Sequence, residues 1–130
     1  MGDTTAEAEK WVDEMSQLTT ECAALLGREL TAYVGGADHT GRLAQWTRRT
    51  DLAALLARER LEAARRIATF LADSLGRAGM LAWWRDIDPE LGNASPATAM
   101  RHSTVREIRS LLYAKAVRYV ASAASAPALT

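Results

Sequence analysis

The chain has 130 residues, 48% of them hydrophobic, and its 16 basic and 16 acidic side chains cancel. That length supports one real core, and zero net charge excludes whole-chain electrostatic steering toward nucleic acid or membrane, so any such site is a local patch. No apolar run approaches the roughly 20 residues of a membrane span.

The N-terminal MGDTTAEAEK lacks the basic and apolar blocks of a secretion signal, and a lone Cys22 cannot form an internal disulfide. The expectation is a cytoplasmic protein with no membrane partner. Hydrophobic periodicity is helical throughout, which predicts an all-α domain of about six helices. Asp3 to Thr5 can cap a first helix whose inner stripe is Trp11, Met15, Leu18, Cys22, Leu25 and Leu26, and Gly27 bends or breaks it. Cys22, on that stripe, reads as a small buried apolar side chain. Arg28 to Val34 makes a second piece that ends at Gly35-Gly36. The segment HTGRLAQWTRR follows as a short amphipathic helix with Leu43 and Trp46 inward and a polar, mostly basic outer face.

Thr50-Asp51 caps a long helix with the stripe Leu52, Leu55, Leu56, Leu61, Ala64, Ile67, Ala68, Leu71 and Leu75. Its outer face is assigned Arg58, Arg60, Glu62, Arg65 and Arg66, with Glu62 and Arg66 as an i,i+4 pair, and Gly76 stops it. Ala78 to Asp86 is a tryptophan helix. Adjacent side chains on a helix point about 100° apart, so one of Trp83 and Trp84 should be buried and the other partly exposed. Core packing at a corner between helices and a partner surface both fit the pair. An acidic turn at Asp86, Asp88, Pro89 and Glu90 then gives way to Ser95-Pro96, a cap and a first helical residue that restart a helix to Arg101. Thr104-Val105-Arg106-Glu107 is a capping box that starts the last helix at about Val105. Its inner side is assigned Val105, Ile108, Leu111, Leu112, Val117 and Val120, and the remaining ASAASAPALT reads as a loose tail. The organisation is thus an N-terminal helical region over residues 1–76, a second region over 77–120 and a flexible tail over 121–130, all in one domain.

Catalytic patterns are scarce. His39 and His102 fall in turns far apart, and no Cys/His or carboxylate spacing resembles a metal site. Asp86, Asp88 and Glu90 lack the glycine and terminal glutamate of a calcium loop, so they read as a solvated turn. No Gly-rich phosphate loop or nucleophile elbow is present, and the chain reads as a non-enzyme without a cofactor. The stretch ELTAYVGGADHTGRLAQW does fit a helix-turn-helix. Ala32 permits close approach of the first helix, Gly36 supplies the permissive turn, and Leu43 and Trp46 pack inward. Thr40, Arg42, Gln45, Arg48 and Arg49 would then face the major groove or its phosphates. A plain helical hairpin with a solvated basic face fits the same pattern.

Three blocks together resemble the Xre/MbcA/ParS-type antitoxins: ELTAYVGGADHTGRLAQW, RERLEAARRIATFLAD, and LAWWRDIDPELGNASPATAM with the VREIRSLLYAKAVRYV helix after it. In the third block the family pattern of tryptophan helix, N-P-x-L-type turn and Ser/Thr-Pro restart is met by Trp83, Asp88-Pro89-Glu90-Leu91 and Ser95-Pro96, with Asp88 in place of asparagine. The resemblance spans about Leu30 to Val120. It implies a compact helical domain with a degenerate helix-turn-helix, and a type II antitoxin that occludes the active-site cleft of a cognate RES-domain toxin. NAD would belong to that toxin. Carried onto this chain, the toxin-binding residues would be Trp83, Trp84, Arg109, Tyr113, Arg118, Tyr119, Val120, Ala126, Pro127, Leu129 and Thr130. The resemblance also implies operator DNA as a partner and a homodimer or a hetero-oligomer with the toxin. Gln45 where arginine is common, and the short TRRTD after Trp46, depart from the pattern on the DNA side. Two other classes remain: a DNA-binding transcriptional regulator without a toxin, and a helical oligomeric interaction protein.

Overall fold

A long helical element, Leu52–Arg85, broken at Gly76, is the axis on which the other elements pack. The computed structural model describes residues 3–125, which form α1 (Asp3–Leu26), α2 (Arg28–Gly35), α3 (Arg42–Trp46), α4 (Leu52–Arg85), α5 (Pro96–Arg101) and α6 (Arg106–Ser125). A short 3-10 turn, Pro89–Leu91, lies between α4 and α5. Among the described residues there is no strand, and the architecture is all-α. No described helix is long and apolar enough to cross a membrane.

The same device changes chain direction twice. At Leu26-Gly27-Arg28 and again at Leu75-Gly76-Arg77, a glycine with φ +85° or +78° and near-extended ψ separates one helix from the next without a loop. Only glycine adopts that region readily, so each break is written into one residue. The break at Gly76 divides α4 into two arms, and the second arm brings Met80, Trp83 and Trp84 into one core with Ile67, Ala68 and Leu71 of the first.

Two clusters fill the interior. One joins Leu26, Val34, Ile67, Leu71, Met80, the two tryptophans, Met100, Leu112 and Ala116. The other joins Met15, Leu18, Cys22, Leu43, Trp46, Ala54, Ala57 and Leu61. Both draw on α1, α2 and α4, so they are two ends of one interior.

The inner face of α4 departs from the expected stripe. Ala54 and Ala57 are buried, whereas Leu52 and Leu55 are exposed. The residues at 54, 57, 61, 64, 68 and 71 keep helical spacing on one side, and the two leucines lie well around the helix from it. Small alanines let α1 approach closely there. Arg60, assigned to solvent, is in fact buried at 9% exposure. Its Nε donates to the Ser103 carbonyl (2.9 Å) and its Nη1 to the Gly35 carbonyl (3.2 Å). Those acceptors lie at the C-terminal end of α2 and just past α5, where orphan carbonyls and the negative helix pole offset a buried cation. Burial lowers the Arg60 pKa, with Arg109 and Arg101 adding like-charge repulsion. Glu62 pairs with Arg58 (2.9 Å), not with Arg66, and Arg58 also reaches Glu14 on α1 (2.8 Å). An arginine that bridges two elements outcompetes the pair within one helix.

Several local expectations hold. Asp51 accepts from the Ala54 N–H (3.0 Å), and Ser95 accepts from the Thr98 N–H (3.2 Å) with Pro96 at the first helical position. Gly36 closes α2 at φ +103°. A second arginine, Arg101, donates to the carbonyls of Tyr33 and Ala37 (2.8 Å each), so two cations hold the end of α2.

Candidate functional site

The tryptophan arm, the acidic turn, α5 and α6 assemble into one corner. Trp83 and Trp84 stand edge to face, with ring centroids 5.0 Å apart at 76°. Both are buried, Trp84 completely, which corrects the expectation of a partly exposed indole. Residues of α5 and α6 in the same cluster, notably Met100 and Leu112, cover the sides that adjacent positions on one helix would otherwise leave open. Any effect of the pair on a partner is therefore exerted through the shape of the corner.

The turn after the tryptophans is tightly determined. The Asp88 carboxylate accepts from the Glu90 N–H (2.9 Å), its backbone pairs with Ala94, and Gly92 and Asn93 follow at φ +69° and +64°. Lys115 of α6 closes on this turn, reaching Asp88 at 2.9 Å and Glu90 at 3.1 Å. The Lys115 contact, with help from the Glu90 N–H, holds the Asp88 carboxyl below the usual carboxylate range, and Asp88 in turn raises Lys115. The acidic turn thus serves as a clamp on α6.

A second tie fixes the start of α6. Arg109, buried at 9% side-chain exposure, meets Glu59 of α4 at 2.6 Å. Tyr113 packs its ring near Phe70 (6.0 Å) and beneath Arg66 (5.9 Å). Residues Val120, Leu112 and Ala116 complete the inner face.

This register overturns the expected inner side of α6. Arg109, Leu112, Lys115 and Ala116 are buried, while Val105, Ile108, Leu111 and Val117 are 38–47% exposed. Leu112 is the one fully buried member of the predicted set, with Val120 half-buried. Two buried charges with partners on α4 and on the turn set the rotation of the helix, and the apolar side chains are left outside. The helix begins at Arg106, and it continues through Ser125, so residues 121–125 are helical where a loose tail was expected.

Of the residues assigned to toxin binding, Arg118 and Tyr119 are exposed, Tyr113 and Val120 are half-buried, and Arg109 is engaged with Glu59. Ala126, Pro127, Leu129 and Thr130 lie outside the described residues. Periodicity missed Ile108 and Leu111 as surface residues because they look like core. With Tyr119 they lie along one flank of α6, at the i, i+3 and i+11 spacing that keeps side chains aligned.

On the helix-turn-helix stretch, α3 is only five residues long, with Leu43 and Trp46 inward. Arg42 donates to Gln45 (2.9 Å), Arg49 lies 3.7 Å from Asp51, Thr40 is half-buried and Arg48 is exposed. Trp46 packs on Gly35, where a Cβ would come within 2.5 Å of the indole. Among the described residues no cluster of His, Cys, Asp or Glu could hold a metal.

The described residues define an all-α protein whose last helix carries an exposed apolar flank. No family model, curated protein or solved structure matches the chain.

Proposed function

We propose that this chain is a type II antitoxin that neutralises a RES-domain toxin by direct binding, with α6 as the contact element. The observation that carries the reading is the outward flank of Ile108, Leu111 and Tyr119 beside the exposed Arg118. Amphipathic helices dock into apolar grooves through side chains at this kind of spacing. The clamp at Lys115 and the tie at Arg109 hold the flank on a rigid platform, which limits the ordering entropy of association. The three-block resemblance to Xre/MbcA/ParS-type antitoxins supports the same assignment and supplies the class of partner. The resemblance also assigns Ala126, Pro127, Leu129 and Thr130 to the contact. The toxin's NAD chemistry is its own, and this chain contributes shape. Autoregulation at an operator is the weaker component, because Arg42 and Gln45 bond each other and α3 presents little more than one turn.

The test is co-expression with a RES-domain toxin encoded next to this chain, scored by growth and by co-purification. The native chain restores growth and co-purifies, whereas an I108D/L111D double variant, folded by circular dichroism, loses both. Absence of a complex with the native chain, or full protection by the double variant, overturns the proposal.

A further inference from the structure

A cleft of about 340 Å³ opens between α4 and α6, lined by Glu59, Glu62, Arg66, Arg106, Arg109 and Tyr113 over a floor that includes Ile67. Its charges do not balance locally. Glu59 answers Arg109, but Glu62 is turned to Arg58, which stands outside the lining. Among the described residues, Arg66 and Arg106 have no carboxylate partner, and Arg66 meets only the Tyr113 ring. Arg109 adds a third signal: its Nη1 is shielded from solvent and has no hydrogen-bond partner among the described residues, although the side chain is more than nine-tenths buried. A buried unpaired N–H of a charged group is costly unless something accepts from it. The lining sets Arg66, Arg106 and Arg109 against Glu59 and Glu62, a net of one positive charge, with Glu62 sharing Arg58 with Glu14.

We propose that this cleft is a binding site for a small phosphorylated molecule, an anion held by Arg66 and Arg106 beside the Arg109–Glu59 pair. Guanidinium groups present paired donors that match phosphate oxygens, and Arg66 and Arg106 each keep theirs free of a carboxylate among the described residues. Tyr113 and Ser110 also line the cleft, and each carries a hydroxyl donor. The volume lies at the low end for small-molecule sites, so it suits a phosphomonoester or a diphosphate and not a long polymer segment. The site is separate from the outward flank of α6 and does not depend on the antitoxin assignment.

The experiment titrates the full chain with inorganic phosphate, pyrophosphate, AMP and citrate at constant ionic strength, by calorimetry and by thermal shift. The probes are repeated on R66Q and R106Q, whose parent side chains are exposed, and on R109M, each checked for folding by circular dichroism. Saturable binding of a phosphate compound, weakened about tenfold or more in R66Q or R106Q, is the expected result. A preference for pyrophosphate assigns an inorganic diphosphate, and a preference for AMP assigns a phosphomonoester; either supports the site. Citrate binding as tight as the best phosphate compound, equal binding in native and variant chains, or no binding beyond an ionic-strength effect overturns it. R109M is read only if circular dichroism shows it folded, and the two exposed variants decide the matter without it.

Discussion

Replacing Arg60 with methionine isolates the contribution of a buried cation that has no carboxylate partner among the described residues. Methionine keeps most of the apolar stem, so the change removes two charge-assisted hydrogen bonds and leaves the carbonyls of Gly35 and Ser103 unpaired in a protein interior. Each such bond contributes about 1.5–3 kcal/mol, and the release of a buried charge offsets part of the sum. The expected net loss is about 2–4 kcal/mol, or roughly 6–15 °C in Tm for a chain of this size. Urea unfolding followed by circular dichroism and tryptophan fluorescence measures it. A companion change gives an internal check. At Gly36 a new Cβ meets backbone strain at φ +103° and sits 2.6 Å from Arg60 Nη1. In G36A the steric part of the loss depends on the guanidinium being there, so G36A and R60M combine less than additively, by about 1 kcal/mol in a double-mutant cycle. An R60M variant as stable as the native chain, or strict additivity, would refute the account of Arg60 as the tie between α2 and the end of α5.

Two further outcomes follow from titratable groups. Burial pushes the Cys22 thiol up to about 12, and its Sγ lies 3.4 Å from the Leu61 carbonyl; native protein at pH 8 should resist thiol-specific reagents and react stoichiometrically once unfolded in urea, and rapid native labelling would contradict this. For Asp88 the folded pKa lies below its ordinary 3.8, so its stabilisation is fully present above that value and disappears as pH falls through the folded pKa. Stability of the native chain over D88N should therefore shrink below about pH 3.8, and a gap that is constant with pH would show that the Lys115 clamp does not contribute.

The parts of this fold that local chemistry decides are the parts a sequence displays. Asp51 and Ser95 announce helix starts, Gly27, Gly36 and Gly76 mark breaks, and the inner faces of α1 and α3 follow from spacing alone. The rotation of α6 does not, because it is set by Glu59, Asp88 and Glu90, residues 25–50 positions away that a helical period cannot weigh. An apolar face then looks like core and is found outside. Arg60 fails for a related reason: its partners are backbone carbonyls at helix ends, which carry no side-chain signature. Its neighbours along α4 give the same charged pattern to exposed and buried arginines alike. The cleft between α4 and α6 was equally hidden, since its lining is drawn from two helices that only the tertiary fold brings together.

The paired Leu-Gly-Arg junctions carry one last consequence. At both Gly27 and Gly76 an added Cβ would touch nothing within 4 Å, so space is no obstacle to a side chain, yet the backbone there has the wrong hand for an L residue. Reflected through a mirror, these angles fall in the ordinary extended region. The chain thus contains two places where a D-alanine, installed by chemical synthesis, matches the native geometry better than any of its encoded alternatives to glycine, and it would lock both reversals while narrowing the unfolded ensemble.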